Sequence, residues 1–461
     1  MIRPRPMSIG PGAIRRRRST GRLNSPSNPI WTPGIVMSAL LAASLACSRP
    51  PQKEPVTLTF LDIEWDMSVR PLAAEDLQAF TRATGIRVKA IPRPDGALNQ
   101  LALWRELLQK GSAGPDVLGI DVVWSGVLSQ YLMDLKPHFP DLSSASPEVL
   151  ASYTVGDKVL AIPHHAYMGV LLYRTDLLQR YGYREPPRTW TELETMASRI
   201  QAGERARGEK DFWGFVWQGA AGEGLTCAGL EWQIGEGGGR IIEDDRTISV
   251  NNPQAILAWQ RARRWVGSIS PPSVVSYAKW DADNAWSAGK TAFLRGWASD
   301  DSLITGLTPP PTGTTRYGVT SVPGGSAGRA STLGGNGLAV SRASSHAREA
   351  IELIRFLRDR DLERASDSAQ SEPPARLELH ELPAVLKPFS PPAGSKHVGG
   401  GVVTRPSIVA GQLYEDVTKA YIRQVRSVVT GEKQPAAAAL ALEQELVAIT
   451  GFRPGPPATR D

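Results

Sequence analysis

The chain has 461 residues, more than one hydrophobic core usually supports, and its 41% hydrophobic and 21% charged residues are typical of a globular protein with two compact units. Its formal net charge of +6 is concentrated in residues 1–46, which contain seven arginines and no acidic residue. The remaining chain has 45 basic and 46 acidic residues, so its charge argues against a nucleic acid as the partner.

The N-terminal segment consists of a basic start, an apolar stretch at 34–46 and Cys47. The apolar stretch has the length of a signal peptide and is shorter than the ~20 residues that a transmembrane helix needs. Cys47 and the polar tether behind it resemble the cleavage site of a bacterial lipoprotein, with Ser44 where that motif usually has Leu. The resemblance implies a signal peptide at 1–46, a lipid on Cys47, a tether at 47–55 and export. Secretion without a lipid and a buried N-terminal helix are the alternatives.

Strand and helix patterns alternate after residue 55. Val56, Leu58 and Phe60 alternate with threonines, as expected of a half-buried strand. The order strand, helix, strand, helix, strand over residues 56–120 predicts a mainly parallel sheet covered by helices. The predicted strands are 56–60, 86–91, 117–120, 159–163, 169–173, 292–294, 316–322 and 338–340, and the predicted helices are 72–84, 98–109, one carrying Leu177 and Leu178, one starting at Thr189, 347–358, 417–428 and one from 436.

The stretch 159–197 is the most informative part of the chain. Within it, Thr189 and Glu192 fit a capping box, in which the Thr hydroxyl and the Glu carboxylate bond free amides of the first helical turn. The stretch closely resembles the hinge-proximal segment of extracellular solute-binding proteins that feed ABC-type sugar importers. Further segments resemble the same family, in the same order and nearest to its trehalose/maltose branch. They are 115–137, 217–232, 287–300, 316–341 and 403–432.

The resemblance implies an α/β, two-lobed periplasmic-binding-protein fold of type II, each lobe a mainly parallel sheet flanked by helices, with the ligand cleft between the lobes. It places lobe I at 56–165 plus 336–388 and lobe II at 166–335 plus 389–455. The chain would cross between the lobes near 165–168, 332–336 and 388. The implied function is capture of a disaccharide or oligosaccharide by hinge closure and its delivery to ABC permease subunits in the membrane. The protein would act as a monomer, without catalysis, cofactor or metal.

The chemistry of sugar binding indicates which side chains line the cleft. Aromatic rings stack on the apolar faces of sugars, and carboxylates, amides or guanidinium groups bond vicinal hydroxyls. Several such side chains directly follow predicted strands, where open α/β sheets place their ligands. The resemblance adds Tyr167 and Gly334. The candidate ligand-binding residues are Glu64, Trp65, Asp66, Asp121, Tyr167, Glu223, Asp281, Trp297, Gly334 and Arg405, with Trp124 and Trp280 as further aromatic candidates.

Each candidate has a structural alternative. Asp121 could cap a helix that starts shortly after it, Glu223 could cap a loop, and Arg405 could form a salt bridge between the lobes. Any of the 13 tryptophans could be a core residue. Two positions depart from the family pattern: Tyr167 stands where the family often has Asp or Asn, and Asn336 where it often has Trp. The ligand therefore need not be trehalose or maltose.

Two other functional classes remain open at this point. A secreted glycoside hydrolase would use two of Glu64, Asp66, Asp121 and Glu223, about 5–10 Å apart across the scissile bond. A sugar-sensing subunit would have the same fold as an importer subunit. Cys227 is the one cysteine besides the proposed lipid-bearing residue, so it forms no internal disulfide and is predicted to be a buried apolar residue.

Overall fold

The fold is built on a mixed β-sheet with helices packed against it, as a computed structural model shows. Residues 55–461 form one compact unit that contains every residue described here. The candidates Glu64, Trp65 and Asp66, the lipidation residue Cys47 and the third predicted crossing near 388 lie outside the described residues. The described residues are 55–61, 71–91, 97–143, 145–298, 317–368, 377–379 and 401–458.

The strands and helices lie close to the positions that the sequence predicts, as in the first helix, predicted at 72–84 and observed at Pro71–Thr84. The strands are β1 (Thr57–Leu61), β2 (Arg87–Ile91), β3 (Val117–Asp121), β4 (Thr154–Val155), β5 (Lys158–Val159), β6 (Ile162–Arg174), β7 (Trp213–Val216), β8 (Thr247–Ile248), β9 (Thr291–Ala298), β10 (Tyr317–Ser321), β11 (Ala330–Val340), β12 (Leu377–Leu379), β13 (Gly401–Val403) and β14 (Arg453–Pro454). The α-helices are α1 (Pro71–Thr84), α2 (Ala97–Leu108), α3 (Ser125–Leu128), α4 (Pro147–Ser152), α5 (Thr175–Arg180), α6 (Trp190–Ala206), α7 (Glu223–Gly235), α8 (Pro253–Trp265), α9 (Lys279–Ser287), α10 (Ala347–Ser368), α11 (Ser407–Ala410), α12 (Tyr414–Val429) and α13 (Pro435–Thr450).

One prediction about the strands is wrong: the runs 159–163 and 169–173 are not two separate strands. The whole second run and the last two residues of the first, Ile162 and Pro163, lie in β6, a single strand of 13 residues, whereas Val159 ends β5. The residues between the runs include His164 and Tyr167, which interrupt the apolar pattern. Tyr167 is half-buried and packs against the Trp297 ring, whereas His164 and Met168 on either side of it are buried.

The large sheet has the order β12-β10-β6-β11-β3-β1-β2, with β9 also paired to β6 and β13 to β11. Its outer pairs, such as β1 with β2 and β7 with β9, are parallel. The long strands β6 and β11 are antiparallel to each other and join these parts. The α/β two-lobed fold class is confirmed, with the addition that antiparallel strands connect the parallel parts.

The neighbours of β6 and β11 change along each strand. In β6, residues 162–168 pair with β11, whereas residues 168–173 pair with β9. In β11, residues 336–340 pair with β3, whereas residues 330–332 pair with β13. The predicted lobe boundaries, 165/166 and 335/336, lie close to these changes of neighbour and stay a prediction.

Helix α7 is the central element of the core beside the sheet. Its residues are buried from Leu225 to Gly235, and it packs against β11, α8 and α12. A helix buried on all sides holds its side chains in fixed positions, including the charged ones. Close by, the predicted capping box at the start of α6 is present, because Glu192 N donates to Thr189 Oγ1 over 3.1 Å and Thr189 N donates to Glu192 Oε2 over 3.2 Å. Among the described helices, none combines the length and apolarity needed to cross a membrane.

Candidate ligand-binding site

Most of the predicted ligand-binding residues within the described part lie on one face of the central strands. Directly opposed residues of an antiparallel pair point to the same side of a sheet, so the strand register identifies the side chains that share this face. We call this side of β3, β11, β6 and β9 the site face. The register pairs that define it are Asp121–Asn336, Tyr167–Gly334 and Gly169–Trp297.

An aromatic pair occupies the middle of the site face. The ring centroids of Tyr167 and Trp297 are 5.4 Å apart and the rings are nearly perpendicular, at 80°. Both side chains are half-buried, so part of each ring surface is accessible. A Cβ atom at position 334 would collide with the Tyr167 ring and lie 3.1 Å from Trp297 Cζ3, so Gly334 allows the two rings to meet there. Three residues predicted separately from the sequence therefore form one group.

A buried ion pair supports this aromatic pair from behind. The Arg295 guanidinium lies 4.0 Å from the centroid of the Trp297 ring, and its Nη2 donates to Glu231 Oε1 over 2.6 Å. Thr332 donates to the same Glu231 oxygen through its amide and its hydroxyl. Sequence reasoning missed Arg295 and Glu231. The available signal was the two-residue spacing of Arg295 and Trp297, which places both side chains on one face of a strand.

A second ion cluster lies at the carboxyl end of β3. Arg405 Nη1 donates to Glu223 Oε2 over 2.7 Å, and its Nη2 donates to Asp121 Oδ1 over 3.2 Å. The Arg405 side chain is only 3% exposed. Asp121 does not cap α3, whose N-cap is Trp124 without a side-chain bond; its Oδ1 accepts from Val123 N instead. The alternative roles proposed for Asp121 and Glu223 are therefore wrong, because both carboxylates pair with Arg405. The alternative for Arg405, a salt bridge, is present, and its partner Asp121 belongs to the other predicted lobe.

Helix α7 connects the two ion clusters. Glu223, Cys227 and Glu231 follow one another at four-residue spacing, which places them on one side of the helix. Burial, which outweighs the nearby charges of both clusters, raises the pKa of the Cys227 thiol to about 11. The thiol is therefore neutral at physiological pH, and Cys227 is the buried apolar residue that the sequence predicts.

The surroundings of Arg405 maintain its positive charge. Burial by itself lowers the pKa of Arg405, but Cys227, Asp121, Tyr414 and Glu223 together raise it well above its usual value. Tyr414 donates to Glu223 Oε2 over 3.0 Å, and burial, followed by this carboxylate, raises the pKa of its phenol well above the usual value. Glu223 thus faces a permanent cation and a neutral hydroxyl, a stable arrangement for a buried carboxylate.

Comparison with known proteins identifies the family. Residues 77–388 match the family model described as "Bacterial extracellular solute-binding protein". A protein of Deinococcus radiodurans named "Probable ABC transporter-binding protein" is 37% identical over 425 residues, which cover 90% of this chain and 98% of that protein. This chain belongs to the bacterial extracellular solute-binding proteins. The resemblance found in the sequence is confirmed, and membership indicates an exported protein that works with an ABC transporter.

Solved structures of solute-binding proteins share the fold. Maltose-bound MalE3 of T. maritima superposes with a TM-score of 0.70 at 28% identity, over 86% of this chain and 100% of that one. The GacH receptor of Streptomyces glaucescens, solved unliganded and with acarbose, gives a TM-score of 0.67 at 22% identity, over 87% of this chain and 99% of that one. At 22% identity, the likeness to the GacH receptor shows the fold alone.

Asn336 completes the described site face of this solute-binding protein. It is 2% exposed, and neither atom of its side-chain amide has a hydrogen-bond partner among the described residues. Burying an amide without hydrogen-bond partners costs free energy. Because Asn336 lies opposite Asp121 in the strand register, its amide is a further candidate for binding the ligand. Sequence reasoning noted Asn336 only as a departure from the family pattern.

The remaining candidates belong to neither ion cluster. Asp281 is exposed and accepts a hydrogen bond from Ala278 N over 2.8 Å, so it caps the first turn of α9. Trp280 is 64% exposed on the same helix. Trp124 packs edge-on against Trp104 in the core, where it is 2% exposed, so its assignment as a cleft residue is wrong.

Two surface cavities in the described part lie elsewhere. One of about 420 Å³ lies beside α12 and one of about 410 Å³ lies between α1 and β2. Two cations that line the first already have partners: Lys419 Nζ bonds Glu415 Oε1 over 2.6 Å, and Arg426 donates to backbone carbonyls. Converging polar groups, the aromatic pair and the buried amide make the site face the stronger candidate.

Proposed function

We propose that this solute-binding protein captures a disaccharide or oligosaccharide on the site face and delivers it to an ABC permease. The observation that carries the proposal is the Tyr167–Trp297 pair, half-buried and placed on the same sheet face as Asp121 and Asn336. Aromatic rings next to hydrogen-bonding groups suit a ligand with apolar ring faces and equatorial hydroxyls. The maltose held by MalE3 of T. maritima, which is 28% identical, supports a sugar as the ligand.

Each part of the site would recognise a different feature of the sugar. Trp297 would stack on a ring face, and Tyr167 would border the same ring. The Asn336 amide offers two donors and an acceptor that the described protein atoms leave unused, and these suit hydroxyl groups. Asp121 would accept a hydroxyl hydrogen bond, and bonds to charged groups contribute about 1.5–3 kcal/mol.

Closure of two lobes would complete the site. The strands shared between the sheet parts change neighbours near Met168 and Asn336, which supports hinges at the predicted crossings 165–168 and 332–336. Closure around the sugar would then exclude water and present the face that binds the permease subunits. In this proposal the protein is a monomer, anchored to the membrane through a lipid on Cys47.

The glycoside hydrolase alternative is less well supported. Of the four candidate carboxylates, the described residues include Asp121 and Glu223, and both are engaged in hydrogen bonds with the same guanidinium. A glycosidase instead needs one carboxyl of its pair to hold a proton. A sensing subunit, the third class, would use the same fold and the same sugar site as an importer subunit.

A thermal-shift screen of the purified protein against sugars tests the proposal. A sugar at a hundred times its dissociation constant should add about 2.7 kcal/mol of stability. The same mixtures are then analysed by chromatography. A stabilising sugar that is recovered intact supports capture without turnover. Hydrolysis that disappears in Asp121→Asn would establish the enzyme alternative, and a panel without any stabilising sugar would contradict sugar capture.

A further inference from the structure

The Arg295 side chain is completely buried next to a residue of the proposed site. Its Nε and Nη2 atoms donate to Glu231 over 2.9 and 2.6 Å, and both side chains are at most 1% exposed. Removing a cation and a carboxylate from water is costly, and an apolar pair of similar volume is often as stable. The structure therefore raises the question of what a guanidinium does at this position.

The guanidinium has almost no freedom to rotate. Nη2 donates to Thr332 Oγ1 over 3.0 Å in addition to Glu231, and Thr332 itself donates to Glu231 Oε1. A Cβ atom at Gly169 would collide with both Glu231 Oε1 and Arg295 Nη2, so the glycine leaves the space that the ion pair fills. Residues of β6, β9, β11 and helix α7 thus hold the plane of the Arg295 guanidinium in one orientation.

That plane supports the Trp297 ring. The guanidinium carbon is 4.0 Å from the ring centroid, a distance at which a cation is attracted to the aromatic face. Such contacts are stronger when the cation is desolvated, as it is here. A lysine could balance the Glu231 charge but has no planar group to lie against an indole.

We propose that Arg295 is a positioning residue: held by Glu231, it fixes the Trp297 ring so that the opposite ring face receives the sugar. The inference rests on the proposed function, since Trp297 contacts a sugar only in that proposal. The Arg295 side chain itself touches no ligand and acts through Trp297.

A readout without ligand tests the positioning directly. The protein is labelled with 5-fluorotryptophan, and the fluorine resonance that is missing from Trp297→Phe is that of Trp297. Arg295→Lys and Glu231→Gln should each shift or broaden this resonance. A matched control exists in Arg205, which lies 4.3 Å from the ring of Trp213, so Arg205→Lys should change the Trp213 resonance instead. An unchanged Trp297 resonance in Arg295→Lys would overturn the inference.

Affinity then tests the consequence, with maltose as the probe. Arg295→Lys should weaken binding by about fivefold, the size of one cation–π contact, and Arg205→Lys should not. Because Arg295 acts through Trp297, adding Arg295→Lys to Trp297→Ala should cause no further loss. Additive losses, or full affinity in Arg295→Lys where Trp297→Ala is weakened, would overturn the inference. Full affinity in Trp297→Ala would instead refute the proposed site, and the fluorine resonance would still decide the positioning.

Discussion

Replacing Arg405 with Met should destabilise the folded protein more than the loss of a surface ion pair does. The change removes a buried cation that bonds Glu223 over 2.7 Å and Asp121 over 3.2 Å. Removing one partner of a buried ion pair typically costs about 3–5 kcal/mol. Glu223 keeps its bond from Thr418 Oγ1 over 2.7 Å, so neither carboxylate loses every donor. We therefore expect the lower end of this range, about 3 kcal/mol.

Urea denaturation followed by circular dichroism measures the effect, with m-values compared to confirm that the same surface unfolds. Arg105→Met is the matched control. Arg105 bonds Glu415 over 2.5 Å, but its side chain is 39% exposed, so its loss should cost less than about 1 kcal/mol. Equal midpoints for Arg405→Met and Arg105→Met would refute the account of the buried cluster.

Three further outcomes follow from single positions. Burial raises the pKa of the Cys227 thiol to about 11 from 9.0. The stability that the neutral, buried thiol contributes is therefore complete below pH 9 and is lost as the pH rises through 11. The unfolding free energy of the wild type should therefore fall more steeply over that window than that of Cys227→Ala, and equal slopes would contradict the assignment. Gly334→Ala should displace the Tyr167 ring and weaken sugar binding by about tenfold. The control is Gly401→Ala, whose added Cβ atom would have no atom within 4 Å and should leave the affinity in the same titration unchanged. Cys47→Ser should move the protein from the membrane fraction to the soluble fraction of the bacterial host, and identical partitioning of both forms would exclude the lipid anchor.

Local sequence signals predicted the elements well. Alternating residues defined β1, and the pair Thr189 and Glu192 located the start of α6, because these patterns depend on neighbours within a few residues. The continuous strand β6 was missed because His164, His165 and Tyr167 interrupt the apolar run in its middle. Periodicity describes which face is buried in a core, and it does not describe a buried polar face.

Part of the site was also predictable. Asp121, Glu223 and Arg405 were candidates by residue type and by family resemblance, and the structure joins them in one cluster. Arg295 was not a candidate, because its partner Glu231 lies 64 positions away and a charge within an apolar strand gives no hint of its partner. Long-range pairs of this kind depend on the packing of α7 against the sheet.

The measurement that tests sugar capture most directly is calorimetric titration of the wild type and Trp297→Ala with maltose, trehalose and maltotriose, beside melting curves. An aromatic contact contributes about 0.5–1.5 kcal/mol beyond its buried area, and that area adds about 25 cal/mol per Å². We predict that the wild type binds at least one of these sugars and that Trp297→Ala binds it at least about tenfold more weakly with a similar melting temperature. Undiminished affinity in a variant with a collapsed melting temperature, or a wild type that binds none of the three sugars, would contradict the account.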